Sequence, residues 1–453
     1  MDSTGKYDTI IIGAGIAGLY AAYKIKKQDP HHNLIILERE NHIGGRMGTV
    51  NFHGTQIAIG AGVGRKRKDK LLQKLLQELR IPTHEFKTST NYAETLEPCD
   101  VKRTFEYLKE TYEKQKTPKN INFQEFATKI LGKQQYEHFI TCAGYTDYEN
   151  EAANNTFTHY GFNDNYQQAW TAIGIPWQKL LQSLQNYIGR THIHTNQTVT
   201  KIQQINDKGS FTSARVETPN NSGLRPSLLD VRRTSNMSLT GELWSEARSA
   251  STTNSEGCVA PRRVWQVKTN NSEKYQTTRL IVATTIDTVH RLIPESKDPT
   301  NPLSTIEGQP FLRIYGKFTP ESNKIIQQYV TTTTIVPGPI HKIIPIKPKQ
   351  GIYMIVYTDN KGAKFLKKYT ANTPQNRKSL CKYLQEALGI TQPLVLEDIR
   401  SFYWPIGTHY YTQNNQENIP QNPKPNLFIV GEMISHNQGW VEGALESVNN
   451  IHQ

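Results

Sequence analysis

The feature that most constrains this chain is a glycine-rich turn between a strand-like and a helix-like segment near its start. Residues Tyr7–Ile12 are mostly β-branched and predict a buried strand, and the turn Gly13–Gly18 follows directly. A helical segment then runs through Lys27, and a second apolar strand, Leu34–Leu37, leads into Glu38. Strand, glycine turn, helix and strand in this order predict a βαβ unit that binds a dinucleotide.

Each glycine of the turn has a physical reason. Gly13 permits the tight turn, Gly15 lets backbone amides approach a pyrophosphate, and Gly18 allows the helix to pack closely. The N-terminus of the helix presents the positive end of its dipole to the same anion. Glu38 is placed to accept hydrogen bonds from ribose hydroxyls, and its charge disfavours the 2′-phosphate of NADP. The predicted cofactor contacts of this unit are Gly13, Gly15, Ile16, Ala17, Gly18, Glu38 and Arg39.

Composition limits the setting in which such a unit works. The 453-residue chain has 53 Lys and Arg against 40 Asp and Glu, and its net charge of +13 favours anionic partners without specifying one. Four scattered cysteines predict neither a disulfide framework nor a metal site, and no apolar run is long enough to span a membrane. We therefore expect a protein of a reducing cytoplasm, without a leader peptide, a metal or a membrane span.

Two further expectations concern partners and source. The basic run at residues 65–70, RKRKDK, is compatible with a nucleic-acid patch, but charges before a predicted helix more often form a solvated face. We therefore expect no nucleic-acid partner. The abundance of Asn, Ile and Lys is typical of an AT-rich genome, so an enzyme associated with a virion is a further expectation if the source is a large DNA virus.

Past Glu38 the chain resembles a known family. Residues 38–49, ERENHIGGRMGT, are similar to the second signature of the flavin-containing amine oxidase superfamily. In that family a double glycine, here ending at Gly45, lets the chain pass close to the cofactor, and the next residue, here Arg46, lies by the pyrophosphate and flavin. The segment Gly60, Ala61 and Gly62 is similar to the glycine-rich segment near the isoalloxazine ring.

Later segments continue the resemblance in the family's order. The strand beginning at Val199 is similar to the one whose valine touches the adenine side, and residues 427–447 are similar to the family's last strand, glycine–acid pair and helix. The resemblance implies FAD as the cofactor. It also implies that Glu432, after Gly431, binds the ribityl chain, and that the amides of Trp440 and Val441 face N1 and the C2 carbonyl of the flavin.

The resemblance implies the chemistry as well. Members pass a hydride from the carbon next to an amine nitrogen to flavin N5, and oxygen then reoxidises the flavin and yields hydrogen peroxide. Two aromatic side chains flank the amine: Trp440 occupies the place of one, and either Tyr410 or Tyr411 that of the other. Residues 402–411 contain no cysteine, which members with covalent flavin carry there, so we expect noncovalent FAD.

One strand departs from the family's pattern. Residues 312–318 align with the strand that usually carries a lysine bridged through water to N5, and the matching residue is Arg313, which cannot lose its proton. Because alternate residues share one face of a strand, Lys317 is the alternative. This departure puts oxygen reactivity and amine specificity in question.

Three acidic residues and two histidines are further candidates for the site. The net positive charge opposes a polyamine substrate unless carboxylates such as Asp147, Glu149 and Glu151 line the entrance. His409 and His436 lie near the predicted active-site segments, and we expect them to be structural rather than catalytic bases.

The predicted fold is a two-domain α/β protein with a Rossmann-type FAD domain and a mixed-sheet α+β substrate domain. We assign residues 1–80, 177–285 and 397–453 to the FAD domain, and residues 81–176 and 286–396 to the substrate domain. Residues 208–263 are rich in Ser, Thr, Asn and Arg and predict a disordered insertion within the FAD domain.

Two other functions share these motifs. FAD-dependent desaturases and porphyrinogen-type oxidases take large apolar substrates, whereas the pair Gly431–Glu432 and the aromatic Trp440 favour an amine. A non-catalytic escort module for prenylated GTPases uses the same fold but loses its flavin contacts, which this sequence retains.

Overall fold

The structure is a computed structural model that describes residues 4–115, 120–159, 170–206, 263–414 and 419–451. The insertion predicted at residues 208–263 lies outside these ranges, except that its last residue, Arg263, begins a strand. No helix in the described ranges is both long enough and apolar enough to cross a membrane.

The strands of the described residues are numbered along the chain. They are β1 (Thr4–Ile12), β2 (Leu34–Leu37), β3 (Thr49–Phe52), β4 (Thr55–Ala58), β5 (Gly64–Arg65), β6 (His84–Lys87), β7 (Thr90–Tyr92), β8 (Thr171–Gly174), β9 (Ile193–His194), β10 (Val199–Asn206), β11 (Arg263–Thr269), β12 (Lys274–Val282), β13 (Ile306–Phe318), β14 (Thr333–Ile335), β15 (Lys342–Lys347), β16 (Ile352–Asp359), β17 (Leu396–Tyr411) and β18 (Leu427–Ile429).

The α-helices are numbered in the same way. They are α1 (Ile16–Gln28), α2 (Lys70–Glu78), α3 (Val101–Lys114), α4 (Phe123–Leu131), α5 (Lys133–Ala143), α6 (Ala153–His159), α7 (Trp177–Ile188), α8 (Ile286–Leu292), α9 (Pro320–Tyr329), α10 (Asn360–Leu366), α11 (Pro374–Leu388) and α12 (Val441–Asn450).

The first sheet contains the predicted βαβ unit. Its order is β10-β11-β12-β1-β2-β9, with β18 also paired to β12, and the strands from β9 through β1 to β12 and β18 are parallel. All four residues of β2 are buried, as expected for a parallel strand covered on both faces. Helices α1, α2, α7 and α12 pack on one face and α8 on the other. The carboxyl ends of β1 and β2 therefore bring Gly13 and Glu38 to one edge.

The second sheet has the order β17-β13-β16-β15-β14-β7 and is antiparallel except where β14 meets β7. Helices α10 and α11 pack on it. Residues 310–358 alternate in the way an antiparallel sheet does, and within them α9 separates β13 from β14. Helices α3 to α6 form a separate helical cluster with its own aromatic core.

Strand β17 connects the two sheets. The predicted boundary at residue 397 assigns most of this strand to the FAD domain, yet β17 pairs with β13 of the second sheet along its length. Its last residue, Tyr411, packs into the core beneath the first sheet. The domain boundaries themselves stay a prediction, and β17 is the element that carries residues of the second sheet towards the edge of the first.

Candidate cofactor and substrate site

The turn after β1 has the geometry of an anion cradle. Gly13 has a φ of 101°, and a Cβ there would lie 2.4 Å from a backbone carbonyl oxygen, so only glycine fits. A Cβ on Gly18 would lie 2.0 Å from the Gly13 carbonyl oxygen. A Cβ on Gly15 would meet no heavy atom within 4 Å, and no side chain caps the N-terminus of α1. Space is therefore open beside Gly15, the residue that precedes the first turn of α1 at Ile16 and Ala17.

Glu38 lies at the rim of this cradle, where β2 ends, and is 8% exposed. Its Oε2 accepts a hydrogen bond of 2.7 Å from the Ala14 amide, and its Oε1 accepts one of 2.9 Å from the Glu40 amide. These bonds hold the carboxylate in one orientation. Arg39 instead pairs with the Glu40 side chain at the surface, and Val199 is buried at the start of β10.

Arg46 and Glu432 meet beside the cradle. Nη1 of Arg46 lies 2.8 Å from Oε1 of Glu432 and also donates to the Gly407 carbonyl oxygen. Glu432 accepts hydrogen bonds from His409 Nδ1 at 2.6 Å and from the Gly439 amide at 2.9 Å. Burial raises the pKa of Glu432, but His409 and Arg46 outweigh burial and hold this pKa at about 2. Glu432 is therefore an anion that joins three separate segments.

The two histidines of interest occupy different surroundings. His409 is buried, and both its ring nitrogens are engaged, since Nε2 accepts a hydrogen bond of 3.2 Å from the Ile286 amide while Nδ1 bonds Glu432. His436 is exposed and stacks on His159, with the ring centres 5.0 Å apart. The contacts of His409 are those of a structural residue.

The segment from Ala58 to Gly62 is held in place by side chains from three other parts of the chain. The Tyr315 hydroxyl donates to the Ala58 carbonyl oxygen at 2.7 Å, and Nε1 of Trp404 donates to that of Ile59 at 2.8 Å. Nε1 of Trp177 donates to the Gly62 carbonyl oxygen at 3.2 Å. The Ala61 amide donates to the Arg46 carbonyl oxygen, and a Cβ on Gly60 would clash with that same oxygen. This backbone is therefore fixed in place. Together with the turn Gly13–Gly18 and Arg46 it outlines the region that we call the crevice.

Arg313 lies against this backbone. A Cβ added to Gly62 would lie 3.7 Å from both terminal nitrogens of Arg313. The guanidinium is buried, donates to the Tyr357 hydroxyl at 3.2 Å and lies 4.6 Å from the centre of its ring. Burial lowers the pKa of Arg313, but the neighbouring tyrosines more than offset it, so the pKa lies above its ordinary value. The alternative residue, Lys317, instead pairs with Glu397 across 3.4 Å at the far end of the strand.

Trp440 is fixed by a buried ion pair. The Arg65 guanidinium stacks 3.8 Å from the Trp440 ring centre and pairs with Asp69 across 2.6 Å. The expectation that residues 65–70 form a solvated face is therefore wrong for Arg65 and Asp69, which are both buried, and right for Lys66, which is exposed. Burial follows because the planar guanidinium is satisfied by an aromatic face and a carboxylate together.

Helix α12 begins immediately after Trp440. Like α1, it has no side-chain cap at its N-terminus. The Trp440 amide donates to the Asn437 carbonyl oxygen at 3.3 Å, and α12 starts at Val441. Glu442 reaches sideways and accepts hydrogen bonds from two backbone amides in the first turn of α2, at 2.7 and 2.9 Å. The side chain of Glu442 therefore locks α12 to α2 and leaves its own helix uncapped.

The two candidate tyrosines contact residues other than Trp440. Tyr410 donates its hydroxyl hydrogen to Glu307 at 2.5 Å, whereas Tyr411 packs into the core and its hydroxyl lies 3.5 Å from the Ser435 carbonyl oxygen. Among the described residues, no ring contact or hydrogen bond joins either tyrosine to Trp440. The choice between them as a second aromatic residue of the site stays open.

A cavity next to Gly439 collects two of the three expected carboxylates. Its lining includes Asp147, Glu151, Gln309, Thr408, Tyr410 and Gly439. Burial raises the pKa of Glu151 to about 8, and the charge of Asp147 adds to this effect. Glu149 instead accepts a hydrogen bond of 2.6 Å from the Tyr136 hydroxyl inside the helical cluster.

Sequence reasoning missed a buried polar network on the second sheet. Nζ of Lys342 lies 2.9 Å from the ring centre of Tyr145, and Asp359 accepts hydrogen bonds from the amide and hydroxyl of Thr146. Burial lowers the pKa of Lys342 to about 7 and raises that of Asp359 to about 6. The available signal was a single lysine and a single aspartate at the ends of apolar strands, a pattern that is also typical of exposed strand ends.

Comparison with known proteins agrees with this geometry. Residues 11–79 match the family described as an NAD(P)-binding Rossmann-like domain. The chain is 21% identical to uncharacterized protein R188 of Acanthamoeba polyphaga mimivirus, a match that covers 98% of this chain and 92% of the relative. Polyamine oxidase 7 of Oryza sativa subsp. japonica is 43% identical over 58 residues, 13% of this chain and 12% of the relative. Coproporphyrinogen III oxidase of Staphylococcus aureus matches at 43% over 58 residues, 12% of each chain.

The fold as a whole also has a solved counterpart. A redesigned putrescine oxidase superposes with a TM-score of 0.65 at 12% identity, covering 99% of this chain and 98% of that one. The predicted fold class and the predicted resemblance to the flavin-containing amine oxidase superfamily are both confirmed.

Proposed function

We propose that this protein is an FAD-dependent oxidoreductase that oxidises an amine and passes the electrons to oxygen, with hydrogen peroxide as the product. The observation that carries the cofactor is that two helices without a side-chain cap at the N-terminus, α1 and α12, pack against each other on one face of the first sheet. Two positive dipole ends with open space at Gly15 fit a ligand that carries a pyrophosphate and a ring able to take negative charge.

Under this proposal, each part of FAD has a group of residues to hold it. The turn from Gly13 to Gly18 would hold the pyrophosphate, and Glu38 the ribose of the adenosine half. Arg46 would lie by the pyrophosphate and Glu432 by the ribityl chain, while α12 would face the flavin ring. When bound there, FAD supplies a two-electron acceptor for a hydride from the substrate.

We infer that FAD is held without a covalent bond. Residues 402–411 offer no cysteine, and the free cysteines of the described residues lie in or beside helices away from the crevice: Cys99 and Cys142 in the helical cluster, and Cys381 in α11. The fit of the cofactor therefore depends on hydrogen bonds, helix dipoles and packing alone.

The acid-lined cavity supports an amine as the substrate. Asp147, joined by Glu151 once the pH exceeds its pKa of about 8, attracts an ammonium group. Gly439, which lines the same cavity, directly precedes Trp440, whose ring is stacked on Arg65. An ammonium held by these carboxylates would place its carbon chain along an aromatic surface that excludes water. Ionisation of Glu151 above a pH of about 8 would make the potential in this cavity more negative and so reduce the objection from net charge.

Arg313 favours a second candidate function, oxidation of an anionic substrate. The guanidinium is buried against Gly62, and its partners are tyrosines; the ion pairs of the described residues include no carboxylate on Arg313. A buried cation whose charge is not neutralised favours a carboxylate ligand. A carboxylate-bearing molecule, such as an amino acid or a reduced porphyrin, would satisfy it.

Anaerobic titration of the flavin-loaded protein distinguishes the two candidates. We expect putrescine, spermidine, spermine or an arylalkylamine to bleach the visible flavin absorbance, with peroxide formed when air is readmitted. Bleaching by amino acids or a reduced porphyrin alone would transfer the assignment to the second candidate. A flavin that none of these reduces would contradict both.

A further inference from the structure

Three potential metal ligands meet in the helical cluster, outside the cofactor crevice. They are Cys99, just before α3, and His138 and Cys142 on α5. One ligand atom from each residue lies within 4.8 Å of the other two. His138 and Cys142 are four residues apart on one helix and therefore share a face. The sequence separation of 43 residues between the cysteines explains why a search for closely spaced cysteine pairs predicts no metal.

The histidine supplies a second and independent observation. Nε2 of His138 is buried and has no hydrogen-bond partner among the described residues. A buried ring nitrogen without a partner costs folding free energy unless a ligand satisfies it. Because one ring nitrogen of His138 lies within 4.8 Å of two free thiols, a single ion placed between the three residues would bind all of them.

We propose that Cys99, His138 and Cys142 bind a soft transition-metal ion, with zinc as the ion of choice. Two thiolates and one imidazole form a ligand set that zinc prefers, at roughly 2.3 Å to sulfur and 2.0–2.1 Å to nitrogen. Ligand atoms in such a tetrahedral site lie roughly 3.3–3.8 Å apart, so small side-chain rotations close the present spacing. The Glu97 carbonyl oxygen, 3.6 Å from Cys142 Sγ, and a water are the candidates for the fourth position.

The location assigns the ion a structural role. Cys142 is fully buried in the aromatic core of the helical cluster, and Tyr92, the last residue of β7, packs against the same core. An ion at this point would join α5 to the segment between β7 and α3, and thereby the helical cluster to the edge of the second sheet. Metal binding at such a junction adds directly to the free energy of folding.

Metal content and cobalt spectra test the proposal on the full chain. After loading with zinc and dialysis, we expect about one zinc per chain in the wild type and in the control Cys381→Ser, whose buried cysteine lies in α11. Cys142→Ser and the milder His138→Asn should retain less than a tenth of this zinc. Replacement by Co²⁺ in the wild type should give thiolate charge-transfer absorbance, which requires no variant.

Chelation separates a structural ion from a surface contaminant. A strong chelator should lower the melting temperature of the wild type and of Cys381→Ser, and leave that of His138→Asn unchanged. A wild type that retains no zinc after loading and dialysis would overturn the proposal. A Cys99–Cys142 disulfide, found by mass spectrometry in protein prepared under reducing conditions, would overturn it as well. Flavin content is measured in parallel, so loss of the metal is distinguished from failure of the proposed oxidase function.

Discussion

The two walls of the proposed active site are built from different groups. The cofactor wall consists of backbone amides, helix ends and glycines, and its acidic side chains, Glu38 and Glu432, are held by several hydrogen bonds. The substrate wall includes buried ionisable side chains with few partners, such as Arg313 and Glu151. Contacts made by backbone amides depend on the shape of the wall, whereas the charge of a buried ionisable side chain such as Glu151 depends on pH. The two walls should therefore respond to substitution in different ways.

The largest effect should follow from filling the cradle. Gly15→Ala adds a Cβ where no atom lies within 4 Å, at a φ of −70° that alanine adopts freely, so the fold should be retained. The methyl group occupies space next to the amides that would hold the pyrophosphate. We expect FAD affinity to fall by roughly 100-fold, about 3 kcal/mol, as measured by flavin fluorescence titration.

Gly18→Ala is the matched comparison. Its Cβ would lie 2.0 Å from a backbone oxygen, so this variant should lose thermal stability as well as FAD. Equal FAD affinity in Gly15→Ala and the wild type would contradict the assignment of the cradle.

Breaking the Glu432 cluster should cost stability next. Glu432→Gln leaves the Arg46 and His409 contacts without their anion, and we expect the free energy of unfolding to fall by about 3 kcal/mol at neutral pH, the range for disrupted buried pairs. Urea titration measures this loss.

The pH dependence of that loss has a definite sign. The folded pKa of Glu432, about 2, lies below its ordinary value of 4.5, so its stabilisation is present above pH 4.5 and is lost as the pH falls towards 2. The stability difference between wild type and Glu432→Gln should shrink over that interval, and a constant difference would contradict the assigned cause.

Substitution of Arg313 tests the substrate wall directly. Arg313→Met removes the buried cation beside Gly62 with little change in volume. For a carboxylate-bearing substrate we expect kcat/KM to fall roughly 10- to 100-fold, because a hydrogen bond between two charged groups is lost. Flavin occupancy should stay unchanged. Lys317→Met, on the same strand but paired with Glu397, should change kcat/KM less than about threefold. The reverse order would identify Lys317 as the residue of the site.

A smaller effect should appear in the pH profile of amine oxidation. Glu151 has a pKa of about 8, so it is neutral below this pH and becomes an anion above it. KM for a diamine should therefore fall severalfold as the pH rises from about 7 to 9. In Glu151→Gln this change is absent, whereas the ionisation of the substrate itself is the same. The ratio of KM in the variant to KM in the wild type, measured at each pH, therefore reports the ionisation of Glu151 alone. A ratio independent of pH would contradict a role for Glu151.

The smallest effect should come from the exposed part of the basic run. Lys66→Ala breaks a surface pair with Glu85 and should change the free energy of unfolding by less than about 0.5 kcal/mol. Arg65→Ala, one residue earlier, removes the stacking on Trp440 and leaves Asp69 buried, and should cost several times more. Similar values for the two variants would contradict the split within this run.

The cofactor wall was the part that sequence could predict in detail. The strand, turn and helix around Gly13 and Gly15 occur in consecutive residues, and a local pattern determines them because glycine is the residue type that the backbone geometry requires. The structure brings Arg46 and Glu432, which are 386 residues apart along the chain, into contact.

The substrate wall could be predicted only in outline. Arg313, Tyr357 and Tyr145 come together through strand pairing and the packing of a helical cluster, and neither leaves a short pattern in the sequence. Arg65 shows the same limit, because burial of a charge depends on partners distant in sequence, here Trp440. Side chains whose roles depend on tertiary contacts were therefore missed or left as alternatives.

The visible absorbance spectrum of the purified protein tests the central proposal most directly. The protein should be yellow, with about one FAD per chain, and acid precipitation should release the flavin into the supernatant because the proposed site holds it without a covalent bond. A colourless protein that FAD cannot reconstitute would contradict the proposed cofactor site. Flavin that stays with the precipitate would contradict the noncovalent attachment.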